Sequence, residues 1–272
     1  MSTDLGVDPM TPYIDGHCHL NSPELREDVQ LHVDKAVEAG VGRMLVVGSD
    51  EESSWEAVDM ASRFSPQGVR ASVGIHPHEA GRYPDGIPSD LLAMADRKEV
   101  FAVGEIGLDY HYDHSPRSVQ REVMAAQIGW AKVKNLPVVF HVREAFADFF
   151  SLINDNPLGD AGGVVHCFSG SWSEAKMCLD LGLYLGFGGM ITFKSAQEVR
   201  ECLSSSPMDR IILETDSPWL APVPYRGKTN TPSMMPLIYR AASDITGRTL
   251  SSVAQSVWQN GKDLYRWGEQ DV

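Results

Sequence analysis

The stretch Tyr13-Ile14-Asp15-Gly16-His17-Cys18-His19-Leu20 is a short apolar run that closes on two imidazoles one residue apart. Side chains of a strand alternate faces with period two, so His17 and His19 point the same way at the strand's end and can grip one cation together. An isolated His-x-His pair means little by itself. Its meaning depends on whether the rest of the chain brings further ligands to the same place.

Seven further segments have the same short, apolar, β-branched character: residues 43–48, 69–76, 100–108, 137–142, 163–168, 184–191 and 210–216. With residues 13–19 they recur at intervals of about one strand plus one helix, a rhythm that implies parallel strands joined by right-handed crossovers. The segments between them read as helices. Residues 24–39 stop at Gly40, another helix opens at Pro116, and residues 173–181 end at Gly182. After the eighth strand, Thr249 precedes a one-sided apolar stripe from Leu250 to Tyr265, a closing helix explained by core packing alone. Eight βα units match an α/β fold of the (β/α)8 TIM barrel type, typically ~250 residues. No linker or charge block divides the 272 residues, so one domain spanning 1–272 is expected. The rival, a doubly wound open sheet, would place a crevice at one switch point. A barrel instead gathers polar residues from the ends of many strands at one mouth.

The strand ends show that convergence. They carry His17 and His19, then His76, Glu105, His141, His166 and Asp216, so five of the nine histidines lie at such positions and His78 lies just beyond. A single histidine there reads equally well as a satisfied core residue. A cluster of imidazoles and carboxylates at one apolar mouth is costly unless a cation compensates it. The set is too large for one tetrahedral ion and suits two ions bridged by a carboxylate. His17, His19 and Asp216 are assigned to the first ion, His141 and His166 to the second, with Glu105 between them. Nitrogen and oxygen donors without thiolate favour two divalent metal ions drawn from Zn, Mn, Co or Ni, and a carboxylate bridge also admits Mg. Cys18 and Cys167 flank ligands, but alternation turns them to the opposite face, where they read as small core residues.

Composition narrows the function classes. The net charge of −14 leaves no basic footprint for a long duplex, so any contact with nucleic acid must be local. Residues 1–11 carry Asp4 and Asp8 and no apolar stretch, the opposite of a secretory signal, and no run approaches the ~20 apolar residues of a membrane span. A cytoplasmic location is expected, without a membrane and without an obligate protein partner. The four cysteines show no Cys-x-x-Cys pairing, so reduced thiols are expected.

Six motifs in order, Asp15-Gly-His-Cys-His-Leu20, Gly74-Ile-His-Pro-His78, Gly104-Glu-Ile-Gly-Leu-Asp-Tyr110, His141-Val-Arg-Glu-Ala145, His166-Cys-Phe-Ser-Gly170 and Glu214-Thr-Asp-Ser-Pro-Trp-Leu-Ala-Pro222, followed by Arg226-Gly-Lys228, resemble the TatD family of metal-dependent deoxyribonucleases. The resemblance implies an amidohydrolase-related barrel that binds divalent metals and hydrolyses DNA, often as a 3′-5′ exonuclease on single strands or ends. It places His17, His19, Glu105, His141, His166 and Asp216 on the family's metal ligands, the set already drawn from the strand ends. Two positions depart from it: Thr231 stands where relatives commonly have Glu or Gln, and Ile106 where they often carry Thr or Cys.

Within that reading Asp216, with Glu105 beside it, is the group expected to orient water and accept its proton, with pure ligation as the alternative. The resemblance also suggests that His76 and His78 hydrogen-bond phosphate, although His78 reads equally well as a solvated loop residue. Arg143, on the face of His141, is placed to contact phosphate or to pair with Glu105 or Asp216. Tyr225, Arg226 and Lys228 form a basic, partly aromatic loop suited to a strand end, though loop cations are often merely solvated. His111 and His114, in the loop after the fourth strand, could line the cleft, but surface placement is expected. Two rivals remain: a small-molecule amidohydrolase or phosphoesterase on the same barrel, and a metal-binding interaction protein without catalysis. Glu105 in place of a carbamylated Lys disfavours the better-known amide and triester hydrolases.

Overall fold

The computed structural model describes residues 11–267. Residues 1–10, most of the segment read above for a leader, lie outside the described residues, as do 268–272. Eight strands, β1 (Tyr13–Cys18), β2 (Val41–Val47), β3 (Val69–Val73), β4 (Val100–Asp109), β5 (Val138–Arg143), β6 (Gly163–Val165), β7 (Tyr184–Phe187) and β8 (Ile211–Leu213), pair in sequence order. Every pairing is parallel. A single parallel bridge, Cys18 to Ser217, joins the last strand's extension to the first and brings the sheet to a nearly closed TIM barrel.

The helices α1 (Val29–Glu38), α2 (Glu51–Arg63), α3 (Ser89–Met94), α4 (Arg117–Lys134), α5 (Phe146–Asp155), α6 (Trp172–Asp180), α7 (Gln197–Ser205), α8 (Met235–Thr246) and α9 (Leu250–Tyr265) alternate with the strands until β8, after which two helices close the chain. Local chemistry sets their ends. Asp50 and Ser171 each accept a backbone N–H from the third residue of the helix they open, Ser53 and Glu174 returning the bond, so that two otherwise orphaned donors are satisfied. Thr249 caps α9, which buries Val253, Val257 and Leu264, as its apolar stripe predicts. Two boundaries depart from the sequence reading. The segment 24–39 begins with a separate turn, Arg26–Asp28, before α1, and α8 was not read at all.

The strands are shorter than their apolar runs. β3, β6, β7 and β8 stop at Val73, Val165, Phe187 and Leu213, so His76, His166 and Asp216 sit on the loops that follow, at the carboxyl-end mouth. The seam between β8 and β1 is fastened by side chains as well as backbone. Asp15 accepts hydrogen bonds from the Thr215 backbone N–H at 2.8 Å and pairs with its hydroxyl at 2.6 Å, while Asp216 N–H donates to the His17 carbonyl at 2.9 Å. Gly16 permits the close approach, because a Cβ there would stand 2.3 Å from Ile212 Cγ2. Among the described residues no helix is long and apolar enough to cross a membrane.

Candidate metal centre

At the carboxyl-end mouth the chain encloses a cavity of about 770 Å³. Its wall includes His19, His76, Glu105, His141, His166 and Asp216, six of the predicted residues, while His17 is fully buried beside them. The mouth thus brings together the predicted ligands from β1 and the residue after it, β4, β5 and the loops after β6 and β8.

Glu105 is the centre of the arrangement. Its Oε2 lies 3.5 Å from His17 Nε2 and 3.7 Å from His19 Nε2, while Oε1 lies 2.7 Å from His166 Nε2 and 2.8 Å from His141 Nδ1. Each carboxylate oxygen therefore faces a different group of imidazoles, Oε1 also meeting His76 at 3.5 Å. Asp216 Oδ1 completes the first group, 3.8 Å from both His17 and His19, whose own Nε2 atoms are 3.0 Å apart. Donors bound to one tetrahedral ion at about 2.0–2.2 Å stand about 3.4 Å apart, so the 3.0–3.8 Å separations among His17, His19 and Asp216 bracket the edge of a coordination shell, while the contacts of Glu105 Oε1 with His141 and His166 are at hydrogen-bond distance. Three sets have the spacing to hold a metal ion: His17, His19 and Asp216; His17, Glu105 and His166; and His76, Glu105 and His141.

Protonation differs between the two groups. Burial, with the neighbouring imidazoles, pushes His17 down to about 4 and His19 to about 3, so both present bare nitrogens at neutral pH. Burial also raises Asp216 to about 7. In the second group burial is outweighed. Glu105 holds His166 well above the ordinary imidazole value, Asp109 and Glu105 raise His141, and His166 and His76 in turn hold Glu105 well below the usual carboxylate range.

His76 is half-buried, its Nε2 3.5 Å from Glu105 Oε1. The backbone N–H of His78 donates to its Nδ1 at 3.1 Å, which leaves Nε2 to carry the proton of the neutral ring. His76 thus offers a hydrogen toward the cup, suited to a substrate oxygen. His78 is tied to Asp109 at 2.9 Å rather than merely solvated.

Asp109 is the main residue that the sequence reading missed. It has no exposure and accepts from His141 Nε2 at 3.0 Å, His78 Nε2, and the backbone N–H groups of His111 and Tyr112. The signal was present, since Asp109 stands four residues after Glu105 on one strand and so on the same face. Glu214 was also missed; its carboxylate lies behind His166 and accepts from the Cys167 N–H, in space that a Cβ on Gly186 would fill.

Other placements differ from expectation. Cys167 is not a core residue: its backbone is left-handed, φ 45°, which breaks the alternation and brings it to the cavity wall. Arg143 pairs with neither Glu105 nor Asp216 and instead lies over the Tyr112 ring, 4.7 Å from its centroid. His114 is exposed yet lines the cup, stacked parallel to Tyr112, whereas His111 pairs with Glu144 at the surface. Arg226 and Lys228 line a second cavity beside the cup rather than the cup itself, and Tyr225 is exposed outside both. Ile106 is buried in β4, and Thr231 bonds Ser233 and lines neither cavity.

A family model described as TatD related DNase matches residues 14–266. The chain belongs to the TatD family. It is 34% identical over 252 residues to the uncharacterized metal-dependent hydrolase YabD of Bacillus subtilis, covering 93% of this chain and 98% of YabD. It is equally 34% identical, over 253 residues, to the 3′-5′ ssDNA/RNA exonuclease TatD of Pantoea vagans, covering 91% and 97% of the two chains. The crystal structure of YJJV, a TatD homologue from Escherichia coli K12, superposes with a TM-score of 0.88 at 29% identity, over 93% of this chain and 98% of that one. The TatD-family barrel described here thus carries side chains able to bind metal at its mouth.

Proposed function

We propose that this TatD-family chain is a metal-dependent hydrolase that cleaves phosphodiester bonds in DNA, as a 3′-5′ exonuclease on single strands or DNA ends. The observation that carries the reading is Glu105, whose two oxygens face separate groups of imidazoles and so could help to hold two divalent ions. His17, His19 and Asp216 would hold one ion and His141 and His166 the other. Zn, Mn, Co, Ni and Mg all fit these donors. When bound, the pair would supply Lewis acidity toward the phosphate oxygens and a lowered pKa for water. The relative from Pantoea vagans, named a 3′-5′ ssDNA/RNA exonuclease, supports the choice of substrate.

The chain's own residues have distinct tasks. Asp216 faces the cavity and takes one proton from the attacking water as the new P–O bond forms. The ester oxygen departs as the old P–O bond breaks and receives that proton from Asp216. His76 donates from Nε2 to a phosphate oxygen, and Arg143, held on Tyr112, offers its guanidinium edge to the same anion. His78 and Asp109 fix the rim.

A small phosphoester or amide is the second reading, favoured by a cup of about 770 Å³, a common size for small-molecule sites. Metal content by elemental analysis, paired with nuclease activity after chelation and re-addition of each metal, separates the two. Two ions per chain and metal-dependent release of mononucleotides are expected. Turnover of phosphoester or amide panels without any release from oligonucleotides would overturn the DNA reading.

A further inference from the structure

We propose that the loop after β8 builds a second binding site for single-stranded nucleic acid, which holds the nucleotide next to the one being cleaved; this rests on the nuclease reading above. A cavity of about 480 Å³ lies across Trp219 and Leu220 from the cup, and these two residues line both spaces. The second space carries Arg226 and Lys228 against one carboxylate, Glu24. Neither cation forms an ion pair among the described residues, although acids outnumber bases 37 to 23 in the chain.

The two cavities repeat one device. Arg226 lies 3.8 Å from the centroid of the Phe193 ring, as Arg143 in the cup lies over Tyr112. A guanidinium stacked on a ring keeps its N–H edge free for a planar set of phosphate oxygens. One such arginine suits a lone phosphate. Two, on either side of a ridge, suit successive phosphates of one strand.

The ridge itself favours bases. Trp219 is 51% exposed and meets His19 in a T-shaped contact at a centroid distance of 5.0 Å, so it presents indole surface to solvent for stacking. It is also held in place. Buried Asn230 donates to the carbonyls of Thr215 and Trp219 at 2.8 and 2.7 Å, and Gly189 seats the Leu220 carbonyl where a Cβ would stand 2.0 Å from the oxygen. A preset ridge costs little ordering on binding.

The test uses metal-loaded protein and fluorescein-tagged phosphorothioate oligothymidylates of one to four nucleotides, read by fluorescence anisotropy. Hydrolysis of unmodified oligothymidylate and of the p-nitrophenyl ester of thymidine 5′-monophosphate is followed in parallel. Affinity should rise at least fivefold from one nucleotide to two, and the Arg226→Gln/Lys228→Gln double variant should erase that step. The slope of log K against log salt should flatten by about 0.7 for each phosphate that the variant no longer neutralises. Trp219→Ala should weaken the dinucleotide more than the mononucleotide. An unchanged length step in the double variant, or equal weakening at every length, overturns the second site. A length step that the variant erases, in a protein that cleaves no phosphodiester, would sink the nuclease reading and leave the second site standing. Cleavage without any length step would do the reverse.

Discussion

His141 Nε2 lies 3.0 Å from Oδ2 of Asp109, a carboxylate with no solvent exposure. The bond leaves His141 Nδ1 to face Glu105 and His166, so Asp109 sets both the tautomer and the ring plane of a proposed ligand. Asp109→Asn can accept from only one of its present donors at each remaining lone pair and cannot match a carboxylate. Metal affinity of the group containing His141 and His166 should fall about 10–100-fold, with the His17, His19 and Asp216 group little changed. Titration calorimetry with Zn or Mn checks this, and equal loss at both groups would refute it.

Loading of the two groups should depend differently on pH. A proton on a ligand competes with the metal, so affinity rises with pH until the ligand is bare. In the first group only Asp216, at about 7, holds a proton near neutrality, because His17 and His19 lie at about 4 and 3. In the second, His141 and His166 are both raised. Loading the second group should therefore release more protons and tighten more steeply as pH rises from about 6 to 8. Calorimetry in buffers of different ionisation enthalpy, on His141→Ala and His19→Ala variants that leave one group intact, counts the protons, and a larger release from the His17, His19 and Asp216 group would contradict the assignment.

Asn230→Ala removes two buried donors from the carbonyls of Thr215 and Trp219. The expected cost is about 1–3 kcal/mol in urea unfolding, with hydrogen-exchange protection lost first over residues 215–222. Uniform loss of protection across the barrel would show that Asn230 does not hold the ridge locally.

Two glycines should respond in opposite directions. A Cβ on Gly107 would stand 1.9 Å from the His141 carbonyl oxygen, so Gly107→Ala must push β4 from β5 and should cost about 1–3 kcal/mol or more, with weakened metal binding. A Cβ on Gly129, within α4, meets nothing within 4 Å, so Gly129→Ala should stabilise by about 0.4–1 kcal/mol. Thermal melts of the two variants decide the pair.

Much of this was legible because a parallel barrel writes itself as repeated apolar runs whose last residues share one mouth. His17, Glu105 and His141 lie within their strands as read, and Asp216 reaches the cup from the loop that follows β8. Period-two reasoning failed where the backbone leaves the extended region. At Cys167, φ 45° rotates the side chain into the cavity, and no local sequence signal marks a left-handed cysteine. Asp109 was overlooked for another reason: period two puts it on the face of Glu105, but the partners that give it a role, His78 and His141, lie 31 and 32 residues away. The helix α8 follows a long loop and opens with Met235 and Pro236, without a side-chain cap to announce it.

The seam between the first and last strands has one ladder bridge, Cys18 to Ser217, supplemented by the hydrogen bonds of Asp15, Thr215 and Asp216. His17 and His19 flank that bridge on one side and Asp216 on the other, so the proposed first ion would rivet the ring across its join. Catalytic readiness and mechanical closure would then be one event, and losing the ion would loosen the hoop at its join before any other stave gave way.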